Sequence, residues 1–293
     1  MSTPTTTGMP PVSPTPPTPP TPGGPAPAPF GNARLIATLA IVFGSLIVIG
    51  TLFSGVTGTI AAASEHTSSR TIDVTGVGAL SAELNAGSLR VEFADVPEAE
   101  LTVTAGADAD QWTLNRDGGT LEVRSPNGMF RGWGPWLRNG RGNGNAVLTL
   151  PRTLSGMDAA LDLSAGKLTA TGDFGELSVT AGAGRVDVQG SAHSVKTEMN
   201  AGRADLALSD VDTADLRVNA GELNATLTGA QPTHLELSAS AGAMDVTVPA
   251  GSYQVTADTS AGSFENRVGS APGASSTVQV NVSAGRILLQ SGN

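Results

Sequence analysis

The chain has no cysteine in its 293 residues, only three histidines (His66, His193, His234) and a single tyrosine (Tyr253). Without thiols there is no disulfide framework, no thiolate nucleophile and no cysteine-based zinc or iron–sulfur site. With so few imidazole and phenol groups, most acid–base schemes would rest on carboxylates alone. Cationic side chains are also scarce, 16 against 26 acidic ones, giving a net charge of −10. Such a balance is a poor match to nucleic-acid phosphates.

What is present is unevenly spread. Residues 1–30 carry no charged side chain but hold twelve of the nineteen prolines and seven threonines. Their apolar surface is too small to offset chain entropy and proline favours polyproline II, so the sequence predicts a disordered tail over 1–33, acting as a spacer. Leu35 to Phe53 then runs for 19 residues without a charge. About 20 apolar residues cross a hydrocarbon layer roughly 30 Å thick, and no polar face interrupts this run, so residues 34–63 are expected to hold one membrane helix and a short linker. Ala61-Ala62-Ala63 resembles a signal-peptidase site, but the preceding segment is long and nearly uncharged and the apolar core is long for a signal peptide. Arg34 is the sole basic residue on the amino side. The positive-inside rule therefore places the tail in the cytoplasm and residues 64–293 outside the cell membrane.

Residues 64–293 contain one recurring word. Ser, Thr or Asn stands before Ala-Gly at Gly87, Gly106, Gly166, Gly182, Gly202, Gly221, Gly242, Gly262 and Gly285. From Gly166 onward the steps are 16, 20, 19, 21, 20 and 23 residues. A period near 20 is the mark of a solenoid. The flanks alternate apolar and polar, as in Leu161-x-Leu163, Leu168-x-Ala170 and Met244-x-Val246-x-Val248, which is strand periodicity. Each word is expected to turn a corner, with Ala pointing into a narrow interior, Gly supplying a φ that a Cβ resists, and the polar residue stacking in a ladder. A bulky residue at Ala201 or Ala220 should then overpack a layer. The 4% aromatic content suits a thin interior of Val, Leu, Ile and Ala. The unpaired end strands of such a stack are an aggregation hazard, which the acidic surface and the polar Gln290–Asn293 end are expected to limit.

The spacing breaks between Gly106 and Gly166. Within the gap, Trp112–Arg116 and Thr120–Arg124 flank Asp117-Gly118-Gly119, which reads as a hairpin, and Val147–Leu150 reads as a strand ended by Pro151. Between them lies a glycine-rich loop, 127–145, that gathers Phe130, Trp133 and Trp136 beside Arg131, Arg138 and Arg141. Aromatic and guanidinium groups clustered off a strand pattern suit a surface for glycans, peptides or lipid headgroups, so these six are the candidate binding residues. The competing reading is that the tryptophans plug the solenoid end. Gly140, Gly142 and Gly144 lack the strand-to-helix setting of a phosphate loop.

Catalytic and metal signals are weak. Asp210, Asp212 and Asp215 form the densest acidic cluster, but the calcium-loop glycine and glutamate are missing, as is the Gly-Gly-x-Gly-x-Asp repeat. His193 and His234 stand in no nucleophile or metalloprotease pattern and read as surface residues. No metal, cofactor or catalytic residue is assigned.

The short strands punctuated by [Ser/Thr/Asn]-Ala-Gly, the Trp- and Gly-rich loop and the strand ending in Leu150-Pro151 resemble the bacterial putative-adhesin family of β-solenoid domains of unknown function, over roughly residues 70–290. The resemblance implies a cell-envelope protein with a right-handed, parallel-strand-rich solenoid; it brings no catalytic or binding residue with it. The resulting expectation is an all-β fold, a single-stranded right-handed β-solenoid over 64–293 with coils of about 20 residues, preceded by one transmembrane helix and a disordered tail. Its expected role is a non-catalytic, extracytoplasmic module for adhesion, envelope binding or sensing, meeting a cell-wall, glycan or protein ligand and able to form homo-oligomers. The alternatives are a self-assembling membrane-associated scaffold and a carbohydrate-active enzyme on the solenoid face.

Overall fold

A computed structural model describes residues 66–105, 109–126 and 144–292. Leu35–Phe53, Gly106 and the six loop residues Phe130, Arg131, Trp133, Trp136, Arg138 and Arg141 lie outside the described residues. Among the described residues no helix is long and apolar enough to cross a membrane, and the only helical pieces are two 3-10 turns, Ala109–Gln111 and Arg152–Leu154.

The remainder is strand and corner. In chain order the strands are β1 (His66–Ile72), β2 (Ala79–Leu84), β3 (Ser88–Ala94), β4 (Ala99–Ala105), β5 (Thr113–Asp117), β6 (Thr120–Arg124), β7 (Asn145–Pro151), β8 (Met157–Leu163), the long β9 (Lys167–Ala181) and β10 (Arg185–Met199), β11 (Arg203–Ser209), β12 (Thr213–Val218), β13 (Glu222–Thr228), β14 (His234–Ala239), β15 (Ala243–Val248), β16 (Tyr253–Thr259), β17 (Ser263–Asn266), β18 (Ser276–Val282) and β19 (Arg286–Ser291). Each coil contributes one strand entering the Ala-Gly corner and one leaving it. The entering strands stack in parallel as β6, β2, β8, the second half of β9, the second half of β10, β12, β14, β18 and β16. The leaving strands stack as β7, β3, the first halves of β9 and β10, β11, β13, β15, β19 and β17. Two parallel stacks joined by corners make the all-β solenoid that the 20-residue period predicts.

Alternation decides what fills it. In-register columns such as Leu80, Ala159, Leu177, Val195, Ala214, Leu235 and Val278 are all at most 3% exposed. The side chains between them point outward, because successive residues of a strand face opposite sides.

Stack order departs from chain order at both ends. The β2–β3 coil lies between β6–β7 and β8–β9, and the last coil in sequence, β18–β19, lies between β14–β15 and β16–β17. The polar residues Gln290, Ser291 and Gly292 therefore do not guard the end of the stack. Gln290 instead bonds Thr247 Oγ1 at 3.2 Å, and the terminal layer is β16–β17.

The two ends differ. At one, antiparallel strands continue both stacks, β5 on β6 and β4 then β1 on β7, with Gly118-Gly119 making the expected hairpin turn and Gly118 at φ +57°. Trp112, 1% exposed, plugs this end; a Cβ on Gly144 would lie 2.9 Å from Ala105 Cβ and 3.1 Å from the Trp112 indole nitrogen. At the other end β16 and β17 each have a strand on one side only.

Corner geometry corrects one expectation. Ala165, Ala201, Ala220, Ala241, Ala261 and Ala284 are exposed, so the alanine points out rather than into the interior. The glycine is what packs. Gly166, Gly184, Gly202 and Gly221 have φ between +102° and +113°, and a Cβ on any of them would run into the backbone of the corner glycine in the preceding layer. The in-register glycine of the fourth corner is Gly184, not Gly182, because Ala181 is an interior strand residue, 0% exposed, aligned with Leu163 and Met199. Counted through Gly184, the steps from Gly166 to Gly202 are 18 and 18 residues. Gly242, Gly262 and Gly285 avoid that left-handed φ but are equally confined: a Cβ on Gly242 would stand 2.6 Å from Val218 Cγ2, and those of Gly262 and Gly285 would meet the Gly285 and Gly242 carbonyls. Gly87 has φ +106°.

Candidate functional site

The two strands that border the Trp- and Arg-rich loop are β6 and β7, and both are held in the stack by β2 and β3. In every other coil the step from entering to leaving strand is a three-residue corner; in this coil it runs from Ser125 to Gly144. The loop is thus an insertion at the corner of the β6–β7 coil, in the row where the other coils carry their Ala-Gly words. Its roots are fixed: Ser125 N–H donates to Glu83 O at 2.9 Å, Asn85 N–H donates to Ser125 Oγ at 2.8 Å, and Ser88 N–H donates to Gly144 O at 3.0 Å.

A second surface feature lies on the outer face of the entering stack. Ala79, Ser81, Ala160 and Ser178 present short side chains across adjacent coils, leaving a shallow, open trough of about 400 Å³ edged by Thr120, Asp158, Glu176, Ser194 and Lys196. Asp158 is locally tied, its Oδ1 accepting the Glu176 N–H at 2.8 Å. The trough offers hydroxyls, two carboxylates and one ammonium over a floor of small side chains. No histidine is among the residues that line it.

Ion pairs order the outer face of the leaving stack beside the corners. Lys167, Arg185 and Arg203 zigzag with Asp187, Asp205 and Glu222, with N–O distances of 3.3 Å for Lys167–Asp187, 2.6 Å for Arg185–Asp205 and 2.7 Å for Arg203–Glu222. Burial pushes the Asp205 carboxyl up, but hydrogen bonds from Arg203 and Asn224 and the charges of Arg203 and Arg185 outweigh it and hold it below the usual aspartate value. Asp215, on the entering stack, goes the other way. Burial raises it, Arg217 pulls against that rise, and the adjacent Glu236 reinforces it.

The acidic cluster singled out in the sequence is divided. Asp210 sits at a second corner, between β11 and β12, at φ +57°, and its Oδ1 accepts the Ala230 N–H at 3.3 Å. Asp215 pairs with Arg217 at 2.6 Å on β12. Among the described residues no three His, Asp or Glu side chains are placed to share a metal ion. His193 is exposed, whereas His234 is half-buried, its Nδ1 2.9 Å from Thr277 Oγ1. The polar residues of the words do form a partial ladder, Asn219 Nδ2 donating to Asn200 Oδ1 at 2.8 Å and Ser240 Oγ to Asn219 Oδ1 at 3.3 Å, in exposed positions.

Sequence reading missed the trough and the second row of corners. The trough needs the in-register alignment of residues from β2, β8 and β9, which no local pattern supplies. The second corners had a signal in Gly172 and Gly190, where β9 and β10 bend: a Cβ on Gly190 would meet the Gly172 carbonyl, and one on Gly172 the Phe93 ring.

Fold and surface together define an all-β, non-barrel solenoid with a corner insertion and a polar trough. The Toastrack DUF4097 family profile matches residues 80–289, and the chain belongs to that family, in agreement with the resemblance carried by the Ala-Gly words. Among solved structures, a putative adhesin from Bacteroides fragilis is 11% identical, covering 78% of this chain and 97% of its own, with a TM-score of 0.45. A putative cell adhesion protein from Clostridium sporogenes is 12% identical over 78% of this chain and 100% of its own, at a TM-score of 0.35. A putative lipid binding protein from Parabacteroides distasonis is 12% identical over 76% and 96%, at 0.43. No curated protein matches the sequence.

Proposed function

We propose that the chain is a non-catalytic, single-pass membrane protein that displays its solenoid outside the cell for adhesion, envelope binding or sensing. Leu35–Phe53 is the anchor and the proline-rich tail is cytoplasmic. The observation that carries the reading is the insertion of Phe130, Arg131, Trp133, Trp136, Arg138 and Arg141 at one corner of the row between entering and leaving strands, where every other described corner is three residues long. A rigid scaffold that departs from its repeat at a single aromatic- and arginine-rich loop concentrates recognition there, since binding residues are favoured on loops held by rigid elements. Fold by itself does not fix the ligand.

The test replaces Trp133 and Trp136 by alanine in the full chain and compares binding to cell-wall material, with circular dichroism and melting temperature as folding controls. The reading predicts at least a tenfold loss of binding at unchanged folding, the scale of one or two anchoring aromatics. Equal binding by the variant and the parent would remove the loop from the account.

A further inference from the structure

We propose that the open end of the stack pairs with the same end of a second copy, β16 against β16 in antiparallel register about a two-fold axis centred on Ala257. The inference goes beyond the adhesion reading and does not involve the tryptophan loop.

The end is unfinished in a specific way. β16 hydrogen-bonds only to β18 and β17 only to β19. The positions that face the interior there are Val255 and Phe264, half-buried, and Ala257 and Thr259, exposed; their register partners Val278, Val280 and Val282 one layer down are at most 2% exposed. The following loop shields only the start of the edge, where Ala271 N–H donates to Tyr253 O at 2.8 Å and the Val255 N–H donates to Ser270 Oγ at 3.1 Å. Ala257 and Thr259 keep an unshielded strand edge, a ready template for another strand.

Three observations select a second copy as the occupant. At the opposite end Trp112, Leu114 and the inward residues of β4 are buried under antiparallel strands, so the layer whose inward positions stay half-buried or exposed is β16–β17, and its apolar match is the same layer of a second copy. A contact of like ends is isologous and requires a surface compatible with itself. Residues 251–275 carry only three charged side chains, Asp258, Glu265 and Arg267, and the last two pair at 2.7 Å, so Asp258 is the one charge of this segment that has to be accommodated. Pairing centred on Ala257 also sets Thr256 opposite Asp258 of the second copy, a hydroxyl donor facing a carboxylate, and keeps the two Asp258 carboxylates from standing opposite each other. The small Ala257 side chain lets the edges approach, and Val255 and Phe264 of both copies cover one another. With Ser270 on the Val255 N–H, the new ladder is short and the contact is weak and reversible.

The natural absence of cysteine makes the test direct. In a hydrogen-bonded antiparallel pair facing residues have Cα atoms about 5.5 Å apart, within disulfide reach. In the full-length chain in detergent micelles, A257C under mild oxidation should form a linked dimer, while T226C, exposed on a central coil, should remain single under the same conditions. Ala257→Asp places two carboxylates face to face and should reduce the mass measured by sedimentation to that of a monomer, with an unchanged melting temperature. The proposal fails if A257C links no faster than T226C, if the aspartate variant keeps the parent's mass, or if A257C in cells links only to other proteins, which would assign the edge to a foreign strand. Should the aspartate variant misfold, the comparison of the two cysteine variants still decides. Loss of cell-wall binding in the tryptophan variants with A257C linking intact, or the reverse, separates this proposal from the adhesion reading.

Discussion

Thr197 stands in an interior column between Val179 and Leu216, 0% exposed, with no hydrogen-bond partner for its hydroxyl. A buried hydroxyl without a partner costs about 1–3 kcal/mol, whereas a methyl in its place fits the column's Val and Leu chemistry. Thr197→Val should therefore raise unfolding stability by about 1 kcal/mol, read as a shift of the urea midpoint at constant slope; an unchanged or lower midpoint would mean that the hydroxyl is satisfied. Tyr253 shows the opposite solution at the same scale: it is buried and its hydroxyl donates to Pro249 O at 2.8 Å, with burial pushing its pKa up to about 12. Single residues were legible in the sequence where the cause is local. Leu161, Leu163, Met244, Val246 and Val248 are buried as the period of two requires. The corner alanines were misjudged because a small residue fits two places equally well, a tight interior and an exposed turn, and only the position of its neighbour glycine in the stack distinguishes them.

The corner is the element that converts a run of strands into a stack. Its glycine approaches the corner glycine of the next layer so closely that no side chain fits, and at Gly202 the backbone φ of +102° adds strain for any L-residue. Gly202→Ala should destabilise by about 2–4 kcal/mol, the sum of a strained φ and a displaced neighbour. Ala201→Leu, one residue earlier and exposed, should change stability by less than about 0.5 kcal/mol, as surface changes do. Chemical denaturation of the two variants checks both, and a large loss at Ala201 with none at Gly202 would restore the inward-alanine reading. The hairpin at Gly118-Gly119 and the strand ending at Pro151 were readable from turn chemistry alone. The fourth corner was misplaced by two residues because Thr180-Ala181-Gly182 repeats the word on the strand itself, and register, which assigns the corner to Gly184, is a long-range property.

At the scale of the molecule, the solenoid was legible from a period near 20, but its ends were not. Nothing local tells that the β18–β19 coil slips beneath β16–β17, or that β2–β3 sits between later coils; those placements follow from which layers bury one another. The plug at the closed end is Trp112, a residue the sequence pattern assigned to a hairpin strand, while Trp133 and Trp136 remain candidates for recognition. The candidate loop was visible as composition, and its location at a corner became clear only from the pairing of β6 with β2 and β7 with β3. Adhesion, envelope binding and sensing all require the solenoid to be displayed outside the cell. The most direct measurement is protease removal of an epitope tag placed after Asn293 on intact cells, with a known external protein as positive control. The account predicts loss of the tag without opening the membrane; a tag protected until the membrane is breached would place the solenoid inside and contradict it.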